Sequence, residues 1–400
     1  MAENLDDILK RAADTKVPRR SFLAAAGLLG GSAALAACST GSSGGASAAP
    51  PASASASAAG GESASAAPVA EVEKELFMYN WSDYVAPENM DKFKAEFGVE
   101  KFQYDTYANN EELLAKLQAG ASGYDVACPT AEYTPALVDG GYIAKLDLSR
   151  IPNQKYINPA FKGLWWDPND EYQLPKDFGT TGVLYRSKLV SEPLTSWQEF
   201  FDLAKGKYSG KVVLVDSMGD VMVMPLKMLG KSLNSVEKAD LDAAREILLE
   251  LAPHVLALDS DTYQDKLASE EAALCLGWTG PLVELRANPE TADIAYMVPS
   301  EGSLYWLDTW VMMADAPHPN AAYAWLNFIH DPENQAAETA YTGYGSPNDE
   351  AKKFIDEEIL NDPSIFPPED VMANLEGAED TSSSQQRIDI WQEFKSAIGG

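Results

Sequence analysis

Residues 76–107 read LFMYNWSDYVAPENMDKFKAEFGVEKFQYDTY. Leu76 to Asn80 is a short apolar run of the kind a buried strand carries. Pro87 opens a helical pattern that lasts to Phe97, because proline tolerates the first helical turn and little else. Lys101 to Tyr107 returns to a strand-like pattern. Strand, helix and strand in one stretch are the grammar of an α/β sheet with helices over its faces.

The same alternation runs outward from this stretch. Glu111–Gln118 reads as a helix, Tyr124–Cys128 as extended and Pro135–Val138 as a short helix. Further on, Lys211–Val215 reads as a strand, Val221–Leu229 and Lys238–Leu251 as helices, and Ala273–Gly277 as a strand. Two such sheets fit the length of 400 residues and the 46% apolar content. Directly beyond the apolar runs come Trp81-Ser82-Asp83-Tyr84, Pro129-Thr130-Ala131-Glu132, Asp216-Ser217-Met218-Gly219-Asp220 and Trp278-Thr279-Gly280. Ligands of open α/β sheets bind outside the carboxyl ends of the strands, so these segments are where a site would be built. Asp216 and Ser217 read equally well as helix N-caps.

The N-terminal seventy residues are of another kind. Arg19-Arg20 precede the apolar run Leu23–Ala37, which ends in Leu35-Ala36-Ala37-Cys38. This is an export signal, too short to span a membrane. Its last block resembles a bacterial lipobox, which implies lipidation of Cys38 and a membrane anchor. Residues 39–70 are almost wholly Ser, Ala, Gly and Pro, a flexible tether with an r.m.s. span of about 30 Å. The net charge of −31 repels nucleic acid and attracts cations. Cys128 and Cys275 fall in separate strands; a disulfide between them is allowed outside the cell if the two strands lie close, and two buried free thiols are the favoured reading. The three histidines are scattered, and no HxxxH or CxxC spacing supports a metal site or a cofactor.

A second stretch raises a chemical question. In Tyr305-Trp306-Leu307-Asp308-Thr309-Trp310 a period of two puts Trp306, Asp308 and Trp310 on one face. An acid between two indoles in a buried segment needs a partner or must give up its charge. Trp325 and Trp391, at helical spacing with Phe328 and Phe394, read as core. Trp165-Trp166 carries no functional assignment.

YNWSDYVAPENMDKFKAEFGV (79–99) resembles the opening of the bacterial polyamine-binding proteins, the extracytoplasmic receptors of spermidine/putrescine ABC transporters. YDVACPTAEY, GKVVLVDSMGDV, LCLGWTG, PSEGSLYWLDTW and TGYGSPN follow in the family's order. The resemblance implies a two-lobe periplasmic-binding-protein fold of type II, α/β, with lobes joined by crossing hinge strands. It puts one lobe at 73–180 with 308–352 and the other at 181–307 with 353–400. It also implies a polyamine ligand, ABC permease subunits as partners, a monomer and no enzymatic activity.

By this resemblance Trp81, Tyr84, Trp278, Trp306 and Tyr344 are aromatic walls, and Ser82 and Asp83 are acceptors between two of them. Asp308 is the acid on which amine recognition centres. Thr130 stands where the family has serine, and Asp220 where it has glutamate. Carboxylates meet ammonium groups with charge-assisted hydrogen bonds, while rings cover the methylenes and attract the cation. Three departures mark this sequence. Ser217 and Pro281 replace family aspartates, and Glu132 replaces an aromatic, which suggests Glu132 as a second terminal carboxylate. The competing readings are a receptor of the same fold for another small solute and a secreted hydrolase with paired carboxylates. No Cys-His pairing or metal motif supports the latter.

Overall fold

A computed structural model describes residues 71–381 and 383–398 of the chain. The export signal, Cys38 and the tether of residues 39–70 lie outside the described residues.

Eleven strands are described: β1 (Glu75–Asn80), β2 (Lys101–Thr106), β3 (Val126–Ala127), β4 (Gln173–Thr180), β5 (Gly182–Arg186), β6 (Val212–Leu214), β7 (Val255–Leu258), β8 (Leu274–Gly277), β9 (Ile294–Met297), β10 (Ser303–Met312) and β11 (Leu375–Gly377). They form two sheets. The first has the order β11-β10-β3-β1-β2 with β4 also on β10, and the second the order β7-β6-β8-β5-β9.

Both sheets follow one plan. A parallel trio, β2-β1-β3 in one and β7-β6-β8 in the other, meets an antiparallel strand, β10 or β5. Parallel strands need crossovers, and helices supply them. The helix Pro87–Phe97 has the expected ends, opened by proline and closed by Gly98 at φ 71°. The helix Asn110–Gln118 starts at Asn109, whose side chain accepts from Glu112 N, while the Glu112 carboxylate accepts from Ala108 N. This reciprocal pairing satisfies donors that a bare helix start would orphan. Lys238–Leu251 also keeps its expected ends, whereas β3 shortens to two residues.

The strand β4 carried no signal that the sequence pattern could expose. Every residue of β4 is buried, so QLPKDFGT shows no alternation. Only Thr181 separates β4 from β5, yet the two belong to different sheets. The return crossing runs from β9 to β10. The pairing of β4 with β10 slips between Asp308 and Thr309, which face Asp177 and Pro175. Lys176 is the extra residue of this bulge, and only 1% of it is exposed.

Cys128 and Cys275 are free and buried, Cys275 in the second sheet and Cys128 just past β3 in the first. Trp325 and Trp391 are core residues, as expected, each in ring contact with its helical neighbour Phe328 or Phe394. Trp165 and Trp166 meet edge to face and pack against the main core. No helix among the described residues is long and apolar enough to cross a membrane.

Candidate functional site

A cavity of about 570 Å³ lies where the carboxyl ends of β1 and β3 in one sheet face those of β6, β7 and β8 in the other. All twelve residues singled out by resemblance line it: Trp81, Ser82, Asp83, Tyr84, Thr130, Glu132, Ser217, Asp220, Trp278, Trp306, Asp308 and Tyr344.

The loop after β1 supplies the first wall. Asp83 adopts φ 50°, a left-handed conformation that aspartate tolerates better than bulky residues, and the turn brings both Trp81 and Tyr84 to the cavity. The Trp81 indole N–H donates to Cys128 O at 2.9 Å. Its ring meets Trp278 edge-on at 5.9 Å between centroids. Ser82 Oγ donates to Asp261 Oδ1 at 2.7 Å, joining the loop after β1 to the loop after β7. Together with Thr279 Oγ1 donating to Gly343 O, these contacts bridge the two rims.

Trp306 and Tyr344 form the second wall, edge to face at 4.8 Å. Trp306 lies against the backbone of Gly179, where an added Cβ would sit 2.4 Å from the indole ring. The glycine is needed here for close approach rather than for its freedom of rotation. Trp310 departs from the expectation. It packs edge-on against Trp325 at 5.8 Å and does not line the cavity. The C-terminal half of β10 pairs with β3 beneath the helix Pro319–Ile329, which encloses that indole. Asp308 therefore has one indole beside it at the cavity, not two.

Nor is Asp308 without partners. Tyr84 Oη approaches Asp308 Oδ2 at 2.7 Å and Asp177 Oδ1 at 2.5 Å. One hydroxyl hydrogen cannot serve both acceptors at once, so a further proton on one carboxyl completes the trio. Lys176 Nζ lies 2.5 Å from Asp177 Oδ2, 3.9 Å from Glu338 Oε2 and 3.5 Å from the Tyr84 ring centroid. Two acids thus share one buried ammonium, and Asp308 joins them through the Tyr84 hydroxyl.

Burial pushes the Asp308 carboxyl up to about 7, helped by the charge of Asp177 and opposed by the hydroxyls of Tyr84 and Thr130. Burial likewise raises Glu338 to about 7 against the pull of Lys176. Asp177 is also raised by burial, in spite of Lys176. Burial works against the Lys176 ammonium, but Asp177 and Glu338 outweigh it and keep the group protonated. Lys176, Asp177 and Glu338 carried no site signal in the sequence. A lysine-aspartate pair after a proline in an unassigned segment reads as surface loop until the strand is known to be buried.

The other acids differ in how they are held. Asp220 Oδ1 accepts from the Trp278 indole at 2.9 Å and from the Thr181 hydroxyl, and its Oδ2 accepts from Ser217 Oγ at 2.5 Å. Ser217 is at once the N-cap of the helix Met218–Met228 and a cavity residue. With three donors already placed, Asp220 fixes the Trp278 ring and the β4–β5 junction. Burial raises its carboxyl, with Ser217, Thr181 and Trp278 opposing. Glu132 has no such support. Only its own backbone N–H counters burial, which with the charges of Asp308, Asp220 and Glu111 lifts it to about 8. No metal-holding group of His, Cys, Asp or Glu occurs among the described residues.

The cavity thus has aromatic faces on both sides and carboxyls that burial makes slower to give up their protons. Residues 88–367 match the bacterial extracellular solute-binding protein family. The chain is 33% identical to the putrescine-binding periplasmic protein of Pseudomonas aeruginosa, across 84% of this chain and 96% of that protein. It is 31% identical to the spermidine/putrescine-binding periplasmic protein of Escherichia coli, across 82% and 92%. The solved spermidine/putrescine ABC transporter substrate-binding protein of Streptococcus pneumoniae superposes with a TM-score of 0.67 at 30% identity, across 81% of this chain and 99% of that one. The chain therefore belongs to the bacterial extracellular solute-binding proteins, α/β receptors of the periplasmic-binding-protein fold and not enzymes.

Proposed function

We propose that this protein captures a polyamine, putrescine or spermidine, between two closing lobes and delivers it to an ABC permease. The observation that carries the reading is the position of Asp308. Its carboxyl lies at the cavity beside Trp306 and Tyr344, in a cluster with more acids than cations. The relatives named for putrescine and spermidine support the same cargo. The proposed lobes are 73–180 with 308–352 and 181–307 with 353–400; the change of sheet at Thr181 supports the first boundary, whereas residues 303–307 of β10 and β11 pair within the first sheet. The twelve cavity residues are the proposed ligand contacts, Cys38 the lipidated anchor, and the working form a monomer at the outer face of the membrane.

Titration calorimetry with putrescine, spermidine, spermine and an uncharged sugar tests the reading. Saturable heat is expected with at least one polyamine and none with the sugar. The reverse pattern would leave the fold and remove the polyamine.

Binding is also expected to release protons. An ammonium beside Asp308 and Glu132 favours their ionised forms, so carboxyls that sit near 7 and 8 in the empty protein lose protons as ligand enters. Affinity should rise with pH from about 5 to about 8 and fall again only where the amines themselves lose charge, near 10. Calorimetry at pH 7 in two buffers of different ionisation enthalpy reads the release directly. Identical heats in both would argue against it.

Glu132 is proposed as the second terminal carboxylate. Glu132→Gln is expected to weaken the best polyamine by about tenfold, the value of one partly solvated charge-assisted contact. Equal affinity of variant and wild type for every polyamine would refute the assignment.

A further inference from the structure

Thr181 is the single residue between β4 and β5, where the chain passes from one sheet to the other. It is fully buried, and it does not line the cavity. A buried hydroxyl without a partner would cost stability, so the partners of this one are informative. The Thr181 N–H donates to Leu304 O at 3.1 Å, and its carbonyl accepts from Ser303 Oγ. Both partners open β10, so the Thr181 backbone is tied to the return crossing. Its side chain is tied elsewhere. Thr181 Oγ1 donates to Asp220 Oδ1, on the helix Met218–Met228 that follows β6 of the second sheet.

Asp220 Oδ1 also accepts from the Trp278 indole at 2.9 Å. Two hydrogen bonds to one carboxylate oxygen therefore connect an aromatic wall of the cavity with the crossing residue. The chain on either side of Thr181 is held in place. Tyr296 Oη donates to Thr180 O at 2.8 Å and accepts from Thr180 Oγ1 at 2.7 Å. At Gly182 an added Cβ would sit 2.5 Å from Met297 O, so β5 leaves the crossing pressed against the end of β9. The Thr181 side chain thus joins the two crossings to the cleft, by a bond to a carboxylate, the stronger kind of hydrogen bond.

We infer that Thr181 is a positioning residue for ligand capture: through Asp220 it ties the orientation of Trp278 to the angle at which the lobes close. The inference rests on the proposed capture between closing lobes and names the link that transmits it. A ligand packed on Trp278 holds the indole on Asp220, Asp220 holds Thr181, and the crossing keeps its closed setting. Without the link a ligand still meets every cavity group, but closure no longer follows its arrival so tightly.

Wild type, Thr181→Val and Thr181→Ser, with folding checked by thermal unfolding, are titrated with putrescine and spermidine by calorimetry. Small-angle X-ray scattering with and without saturating ligand reads the closure. Valine keeps the shape and removes the donor, and serine restores it. Thr181→Val is expected to bind about fivefold or more weakly and to compact less on saturation. Thr181→Ala removes the donor with a smaller side chain and should repeat that result, while Thr181→Ser should stay within about twofold of wild type. In a Trp278→Phe background, where the indole donor is already gone, Thr181→Val should cost less than about twofold, because the path through Asp220 is broken at its other end. Equal affinity and equal compaction of Thr181→Val and wild type overturn the inference. So does a loss of the same size in both backgrounds, which marks a merely structural threonine. A wild type that binds polyamine without compacting removes lobe closure and the inference with it, and one that binds neither amine removes the polyamine reading as well.

Discussion

Asp308→Asn should weaken putrescine and spermidine by roughly 30-fold to several thousand-fold, the 2–5 kcal/mol lost when one partner of a desolvated charge pair is removed. Asparagine keeps the shape and can still accept from Tyr84, so the loss reports the charge. The same substitution is expected to make the empty protein more stable at pH 8. The Asp308 carboxyl is raised in the folded chain to about 7. A group raised in this way contributes stability that is complete below its unfolded value near 4 and is lost as pH rises through the folded value. Wild type and variant should therefore melt alike at pH 4, with the variant above wild type at pH 8. Affinity falls where stability rises, which is the mark of a site held at some cost for its ligand. If Asp308→Asn binds polyamines within twofold of wild type, no ammonium sits at Asp308.

Lys176→Met is the larger structural change. It leaves Asp177 and Glu338 without their cation, and Asp177 and Asp308 on a single hydroxyl. Breaking a buried pair from one side costs about 3–5 kcal/mol, which corresponds to a melting temperature lower by about 5–15 °C. The deficit should be greatest at pH 8, where the acids ionise, and shrink at pH 5, where Asp308 and Glu338 hold their protons. Equal melting of variant and wild type at pH 8 would mean that Lys176 does not balance these acids. Burial first, and then the charge of Asp177, raise the Asp308 carboxyl, and the Lys176 ammonium offsets this only in part.

Much of the architecture was legible because it is local. Pro87 and the spacing to Phe97, the apolar run before Trp81 and the periodicity of Lys238–Leu251 each depend on neighbours within a few turns of chain. The position of the cavity followed from what stands after β1, β3, β6 and β8, since strand direction alone brings those segments to one end of each sheet. The strand β4 was not legible, because burial of every residue removes the alternation by which a strand announces itself.

The partners of Asp308 could not be read at all. Its neighbours Tyr84, Asp177 and Thr130 come from three distant parts of the chain, and Lys176 meets Asp177 and Glu338 where a one-residue slip in β4 turns it inward. The placement of Trp310 is of the same kind, since a period of two predicts a face but not what covers it. The sequence by itself determined the α/β elements, the strand ends that meet at the cavity and the aromatic and acidic character of its lining. Tertiary structure alone decided which acids lie close enough to share protons and which cations they share, because electrostatic coupling depends on distance and burial, and neither is written in residue order.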